Sequence, residues 1–302
     1  MRTTSLRPIA ALISFVALAA CSSKGGDPAR QYGADPYLPE PHDYLLPPMS
    51  VPKAVDWKAG EMPTVAAGLK VEALATGLEH PRTLYTLPNG DILIVESNSP
   101  GTEPYRPKDF IAGKVKARAG AAAKGGNRIT LLRDADDGKP ELRTVFIDHL
   151  HSPYGIVLVG DTLYVANTDA ILAFNYVPGM TRITSPGVKL ADLPAGPIDH
   201  HWTKSMTASS DGSKLYVGVG SNSNITENGM AVEEGRAAIY EVDRLTGAKR
   251  IFASGTRNPT SVAFEPQTRQ LFAVVNERDE IGPAGRSASF TPGDVIRVIP
   301  GT

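Results

Sequence analysis

The chain has 302 residues, room for one large domain or two small ones. Its 31 Lys and Arg stand against 32 Asp and Glu, so no net field steers it to nucleic acid and no basic run is present to grip phosphate. Apolar residues make up 41%, enough for a packed core, while 29 Gly and 25 Pro favour short turns over long helices.

At the N-terminus, Arg2 and Arg7 lead into an apolar run over 9–20. Those 12 residues are too few to span a bilayer, which takes about 20, and have the length of a signal-peptide core. The run ends in Leu18-Ala19-Ala20-Cys21, which resembles a bacterial lipobox. Cleavage of 1–20 would leave Cys21 to carry a lipid anchor in the membrane; two or more acyl chains hold stably where one does not. Cys21 is the sole Cys, so it has no internal disulfide partner, although an unmodified Cys beside an ordinary cleavage site is the plainer reading. Ser22 is not the Asp that holds lipoproteins of this kind at the inner membrane, so the expected location is the periplasmic face of the outer membrane. Residues 21–65 are rich in Gly and Pro and read as a tether.

From about residue 66 four segments look alike. Each opens with a His, Pro or Asn cluster, runs as an apolar strand, turns at Gly or a polar pair and returns as a second strand. The first is His80-Pro81-Arg82, Asn89-Gly90-Asp91 and 92–96; the second is His151-Ser152-Pro153, Gly160-Asp161 and 163–167. The third is His201-Trp202-Thr203, Asp211-Gly212 and 215–219; the fourth is Arg257-Asn258-Pro259, 262–264 and 271–275. Returns starting at Leu93, Leu163, Leu215 and Leu271 lie 70, 52 and 56 residues apart. A propeller blade takes roughly 40–50 residues, so the last two intervals fit one blade plus loops. The first carries an insertion over 99–127, read as a surface excursion without a chemical role. Further strands over 129–132, 171–174 and 238–242 complete the blades. Asp134, Asp136 and Asp137 lack the spacing of an EF-hand and read as a hairpin turn. The predicted fold is an all-β propeller, with an all-β sandwich as the alternative.

The stretches His201-Trp202-Thr203, 215–224, 233–238, 255–259 and 275–280 resemble the L-sorbosone dehydrogenase family, which is similar to the soluble sugar dehydrogenases that use pyrroloquinoline quinone (PQQ). The resemblance covers about 70–282 and implies a six-bladed propeller, of which about four blades are present, with cofactor and sugar at the mouth of the central channel. It implies that His201 is the general base that takes the sugar hydroxyl proton while hydride passes to the quinone. It implies that Arg257 and Asn258 contact the cofactor and, by a looser alignment, that His151 does. A Ca²⁺ ion is implied at the backbone of the loop after Glu277, where relatives have Gly-Pro and this chain has Asp279 and Glu280. The implied partners are a small sugar and a periplasmic electron acceptor.

After about Gly282 the resemblance is expected to stop, leaving 283–302 as an aberrant tail without a blade pattern. That reading takes the chain as truncated and expects little or no dehydrogenase activity from it. The same residues also allow a non-catalytic propeller lipoprotein that binds a partner or polysaccharide, in which the His residues only bridge blades. A third reading is a Ca²⁺-dependent lactonase, which would need acidic ligands where the chain offers His, Arg and Asn. His200 and Asp199 are read as loop polar groups rather than as groups that orient His201.

Overall fold

The computed structural model describes residues 53–276 except 56–57, 59, 103–112, 115–116, 119, 121–124, 134–138 and 225, together with 294–297. Its strands form antiparallel sheets that follow one another along the chain. The first is β1 (Pro81–Thr86), β2 (Ile92–Glu96), β3 (Arg128–Arg133) and β4 (Leu142–Ile147). The second is β5 (Gly155–Val159), β6 (Thr162–Ala166), β7 (Ala170–Asn175) and β8 (Val188–Asp192). The third is β9 (Met206–Ala208), β10 (Lys214–Val219), β11 (Ala238–Asp243) and β12 (Lys249–Ser254). The fourth is β13 (Pro259–Phe264), β14 (Leu271–Val275) and β15 (Asp294–Arg297). Each sheet is a meander in chain order, as a propeller blade is.

Side chains of a strand alternate between its two faces, and here both faces are covered. In β10, Leu215, Val217 and Val219 pack with Tyr164, Ala166 and Ile171 of the second blade, while Tyr216 packs with Val262, Leu271 and Ala273 of the fourth. In β2 and β6, Leu93 and Val95 meet Leu163 and Val165 between the first two blades. This two-sided burial explains why the second strands read as unbroken apolar runs. Leu215 is fully buried, and truncating such a residue to Ala costs about 2–5 kcal/mol. The outer face of β1 is different: Leu84 is 68% exposed.

The blades splay around an axis rather than stacking flat. Arg82 at the start of the first blade lies with its guanidinium carbon 5.4 Å from the Trp202 ring centroid of the third blade, and Tyr154 of the second packs edge-on against the same ring at 6.1 Å. Three successive blades thus meet at one place, and the flat sandwich is set aside.

The tail needs correction. Residues 294–297, expected to carry no blade pattern, form β15 and pair with β14 from Phe272↔Arg297 to Val275↔Asp294. They supply the third strand of the fourth blade. The four-residue strand, with only Val295 and Ile296 apolar, is too short to show periodicity. Cys21, most of the proposed tether, Asp134, Asp136, Asp137, Asp279 and Glu280 lie outside the described residues. Among the described residues no helix is long and apolar enough to cross a membrane.

Candidate functional site

Antiparallel register puts the start of each blade's first strand beside the end of its second. Pro81 pairs with Glu96, Gly155 with Ala166, Met206 with Val217 and Pro259 with Val275. The segments that precede β1, β5, β9 and β13 and those that follow β2, β6, β10 and β14 therefore share one rim. Backbone bonds repeat along it: Ser97 N–H donates to His80 O at 3.1 Å, Thr168 N–H to His151 O at 3.1 Å, and Asn276 N–H to Asn258 O at 2.9 Å. Hydroxyls or amides just past the second strands then sew one blade to the next. Ser97 Oγ donates to Pro153 O, Thr168 Oγ1 to Asp199 Oδ2 at 2.6 Å, and Ser221 N–H to Arg257 O at 2.8 Å. The rim gathers His201 of the third blade and Arg257 and Asn258 of the fourth.

His201 is partly buried on this rim. Its backbone N–H donates to Ser221 O at 3.3 Å, and its Nδ1 lies 2.8 Å from Ser221 Oγ and 3.1 Å from Ser221 O. The Ser221 hydroxyl proton is already committed to Ser223 O at 2.7 Å. Both oxygens facing Nδ1 are therefore acceptors, and the network assigns the ring proton to Nδ1. Nε2 is left with its lone pair, the form a general base requires. Burial, followed by the nearby Arg257 cation and then His200, pushes the imidazole pKa down to about 2, with Arg236 adding to the same effect. The ring is thus neutral throughout the working pH range, and an anion placed beside Arg257 would raise its basicity. Ser221 was not singled out in the sequence; a Ser following a strand carries no signal until the register places it 20 residues from its His.

Arg257 is fixed from both sides. Its Nε donates to Asn224 O at 2.9 Å, one terminal nitrogen donates to Asn276 O at 3.1 Å, and the other donates to Asn224 Oδ1. Asn258 is buried, and its Oδ1 has no hydrogen-bond partner among the described residues. Gly220 lies where His201 and Asn258 approach: a Cβ there would come 2.4 Å from His201 Cβ and 2.8 Å from Asn258 Oδ1. Only a residue without a side chain fits between them.

The other predicted residues divide. His151 sits on the rim of the second blade, about half exposed, with Nδ1 3.0 Å from Asp169 Oδ2, so the structure ties it to Asp169 rather than to His201. Asp199 is not a plain loop group. It is buried and holds ion pairs to Arg236 and Lys204, both buried as well. It does not touch His201, whose ring is oriented by Ser221. Asp279 and Glu280 cannot be placed, and among the described residues no group of three His, Cys, Asp or Glu could hold a metal ion.

The residues present fit a flat, anionic, oxygen-rich cofactor. Arg257 offers a permanent planar cation to its oxygens, and the orphaned Asn258 Oδ1 is an acceptor that calls for an N–H or O–H donor on the same group.

A family model described as TrAA12-like matches residues 123–299, more than half of the sequence. The chain belongs to the TrAA12-like family. The match runs past Gly282, where the resemblance was expected to stop, and takes in β15. Among solved structures, the holo PQQ domain of a pyranose dehydrogenase from Coprinopsis cinerea is similar at 20% identity, with a TM-score of 0.56, over 72% of this chain and 48% of that one. An iodide structure of the Trichoderma reesei carbohydrate-active enzyme of family AA12 gives 16% identity, a TM-score of 0.58 and coverage of 85% and 58%. A calcium structure of that family gives 18%, 0.57, 78% and 56%. The chain thus spans about half the length of the solved relatives, and at these identities the likeness shows the propeller fold. No curated protein matches the chain.

Proposed function

We propose that this member of the TrAA12-like family takes part in PQQ-dependent oxidation of a sugar, with the His201 rim as its site. One observation carries the reading: a neutral imidazole with its proton held on Nδ1, a guanidinium pinned by Asn224 and Asn276, and a buried amide oxygen without a partner among the described residues converge from two adjacent blades. The family membership and the names of the solved relatives, a pyranose dehydrogenase PQQ domain among them, support it.

When bound, the quinone would supply the two-electron chemistry that accepts a hydride from the sugar carbon. Nε2 of His201 takes the proton of the hydroxyl being oxidised; Ser221 holds the Nδ1 proton, which keeps Nε2 the accepting nitrogen before the transfer and steadies the imidazolium after it. Arg257 and Asn258 would hold the cofactor, the guanidinium by charge and the amide by hydrogen bonds. Ca²⁺ remains part of the proposal through the Asp279 and Glu280 backbone. So does the location: an acylated Cys21 would fix the propeller to the periplasmic face of the outer membrane, within reach of a periplasmic electron acceptor.

The test is dye-linked oxidation of a panel of aldoses by the purified protein with and without added PQQ and Ca²⁺. The expected result is cofactor-dependent dye reduction that falls by roughly 10²–10⁴-fold in His201→Asn. Dye reduction that ignores the cofactor, or survives His201→Asn unchanged, would refute the proposal.

A further inference from the structure

Behind the His201 ring lies a set of charges that the proposed proton transfer does not use. Asp199, Arg236 and Lys204 have side chains 1%, 2% and 0% exposed. Asp199 Oδ1 accepts from an Arg236 terminal nitrogen at 2.5 Å and lies 3.6 Å from Lys204 Nζ. Its Oδ2 accepts from Thr168 Oγ1 at 2.6 Å, and its backbone N–H donates to Asn222 Oδ1 at 3.1 Å. Two buried cations share one buried carboxylate, which is an expensive way to fill a core: apolar replacements of such clusters are often neutral or stabilising. Burial pushes the Lys204 ammonium down to about 8, against the pull of Asp199.

The remaining bonds of the cluster go to the backbone that carries His201. Lys204 Nζ donates to Trp202 O at 2.9 Å, while the single Thr168 hydroxyl proton goes to Asp199 Oδ2. Arg236 Nε donates to Gly220 O at 2.9 Å, one residue before Ser221, and its Nη1 donates to Pro194 O at 2.7 Å. Asp199, two residues before His201, has φ 35°, a left-handed turn conformation that Asp tolerates better than most residues. The chain on both sides of the imidazole, and the strand end that carries its hydrogen-bond acceptor, are thus anchored to the same three charges.

We propose that Asp199, Lys204 and Arg236 form a buried clamp that positions His201 against Ser221, so that the ring presents one tautomer with Nε2 toward the site. Its catalytic consequence rests on the proposed role of His201 as base; its structural content does not. None of the three is a catalytic residue. They act through the backbone of 199–202 and 220–221.

Two variants test the clamp. Lys204→Met leaves Arg236 as the one cation for Asp199 and removes the bond to Trp202 O, while the strand pairing of the blade is untouched. Lys204→Gln keeps a donor, on a side chain one atom shorter, and loses the charge. The readout is the pair of ¹⁵N imidazole shifts of His201 in the full chain, with circular dichroism to confirm folding. The native protein is expected to show the Nδ1–H tautomer alone, and folded Lys204→Met a mixture of tautomers, with Lys204→Gln between them. Where turnover is measurable, kcat should fall between roughly ten- and a hundredfold with KM nearly unchanged. A folded Lys204→Met with the native tautomer would overturn the proposal, and so would unfolding of both variants, which would make the cluster a prop of the fold instead. If the native protein neither binds PQQ nor oxidises sugar, the functional reading falls, while the imidazole shifts still decide the clamp.

Discussion

Gly220→Ala is the smallest change that reaches the site without touching a charged group. The added Cβ would sit 2.4 Å from His201 Cβ, 2.8 Å from Asn258 Oδ1 and 3.0 Å from His201 O. Real Cβ atoms do not approach backbone-fixed carbon so closely, so either β10 or the segment before β9 must move. Overpacking of this kind costs about 1–3 kcal/mol. Each kcal/mol lowers Tm by roughly 2–4 °C in a domain of this size, so the expected loss is between about 2 and 12 °C. Gly196 is the control, because a Cβ there meets nothing within 4 Å and its backbone is not left-handed. Thermal unfolding followed by circular dichroism reads the stability, and PQQ titration reads the site. The expected outcome is a lowered Tm and weakened binding for Gly220→Ala, and neither for Gly196→Ala. A Gly220→Ala protein as stable and as competent as the native one would refute the close approach of His201 and Asn258.

Other outcomes follow from the same geometry. Asn258→Leu removes a buried amide whose Oδ1 has no partner, so the fold should be no less stable while PQQ binding weakens at least tenfold, by thermal unfolding and titration. Lys204 is held down at about 8 against 10.5 when unfolded, so the unfolded chain binds more protons between those values. Stability should therefore rise with pH across roughly 8 to 10.5, by about 3 kcal/mol, and the rise should vanish in Lys204→Met in urea unfolding at stepped pH. His201 behaves with the same sign in a lower window. Its folded pKa is depressed to about 2 from 6.5, so stability falls as pH drops below about 6.5, and the imidazole shifts should show no protonation at pH 5.

The propeller was legible because the second strands are buried on both faces. Leu93, Leu163, Leu215 and Leu271 open runs that no solvent-facing position interrupts, and turn residues precede each. The outermost strands were not legible. β8 reads Val-Lys-Leu-Ala-Asp and β12 reads Lys-Arg-Ile-Phe-Ala-Ser, and most of their positions face solvent or lie only partly buried. Their place in the sheet comes from pairing with a buried neighbour rather than from their own pattern. The site split in the same way. His201 and Arg257 stood out through a family resemblance, and the register explains why residues 56 apart meet on one rim. Ser221 gave no sign and Asp199 was read as a loop group, because their roles depend on contacts across 20 to 37 residues that no local spacing encodes.

The account stands most directly on a quinone titration of the purified protein, read by the absorbance of PQQ and repeated with Arg257→Ala. Saturable binding that weakens at least tenfold without the guanidinium is the predicted result. Binding that is absent, or indifferent to Arg257 in a variant that folds normally, would contradict the claim that the rim joining the third and fourth blades is a cofactor site.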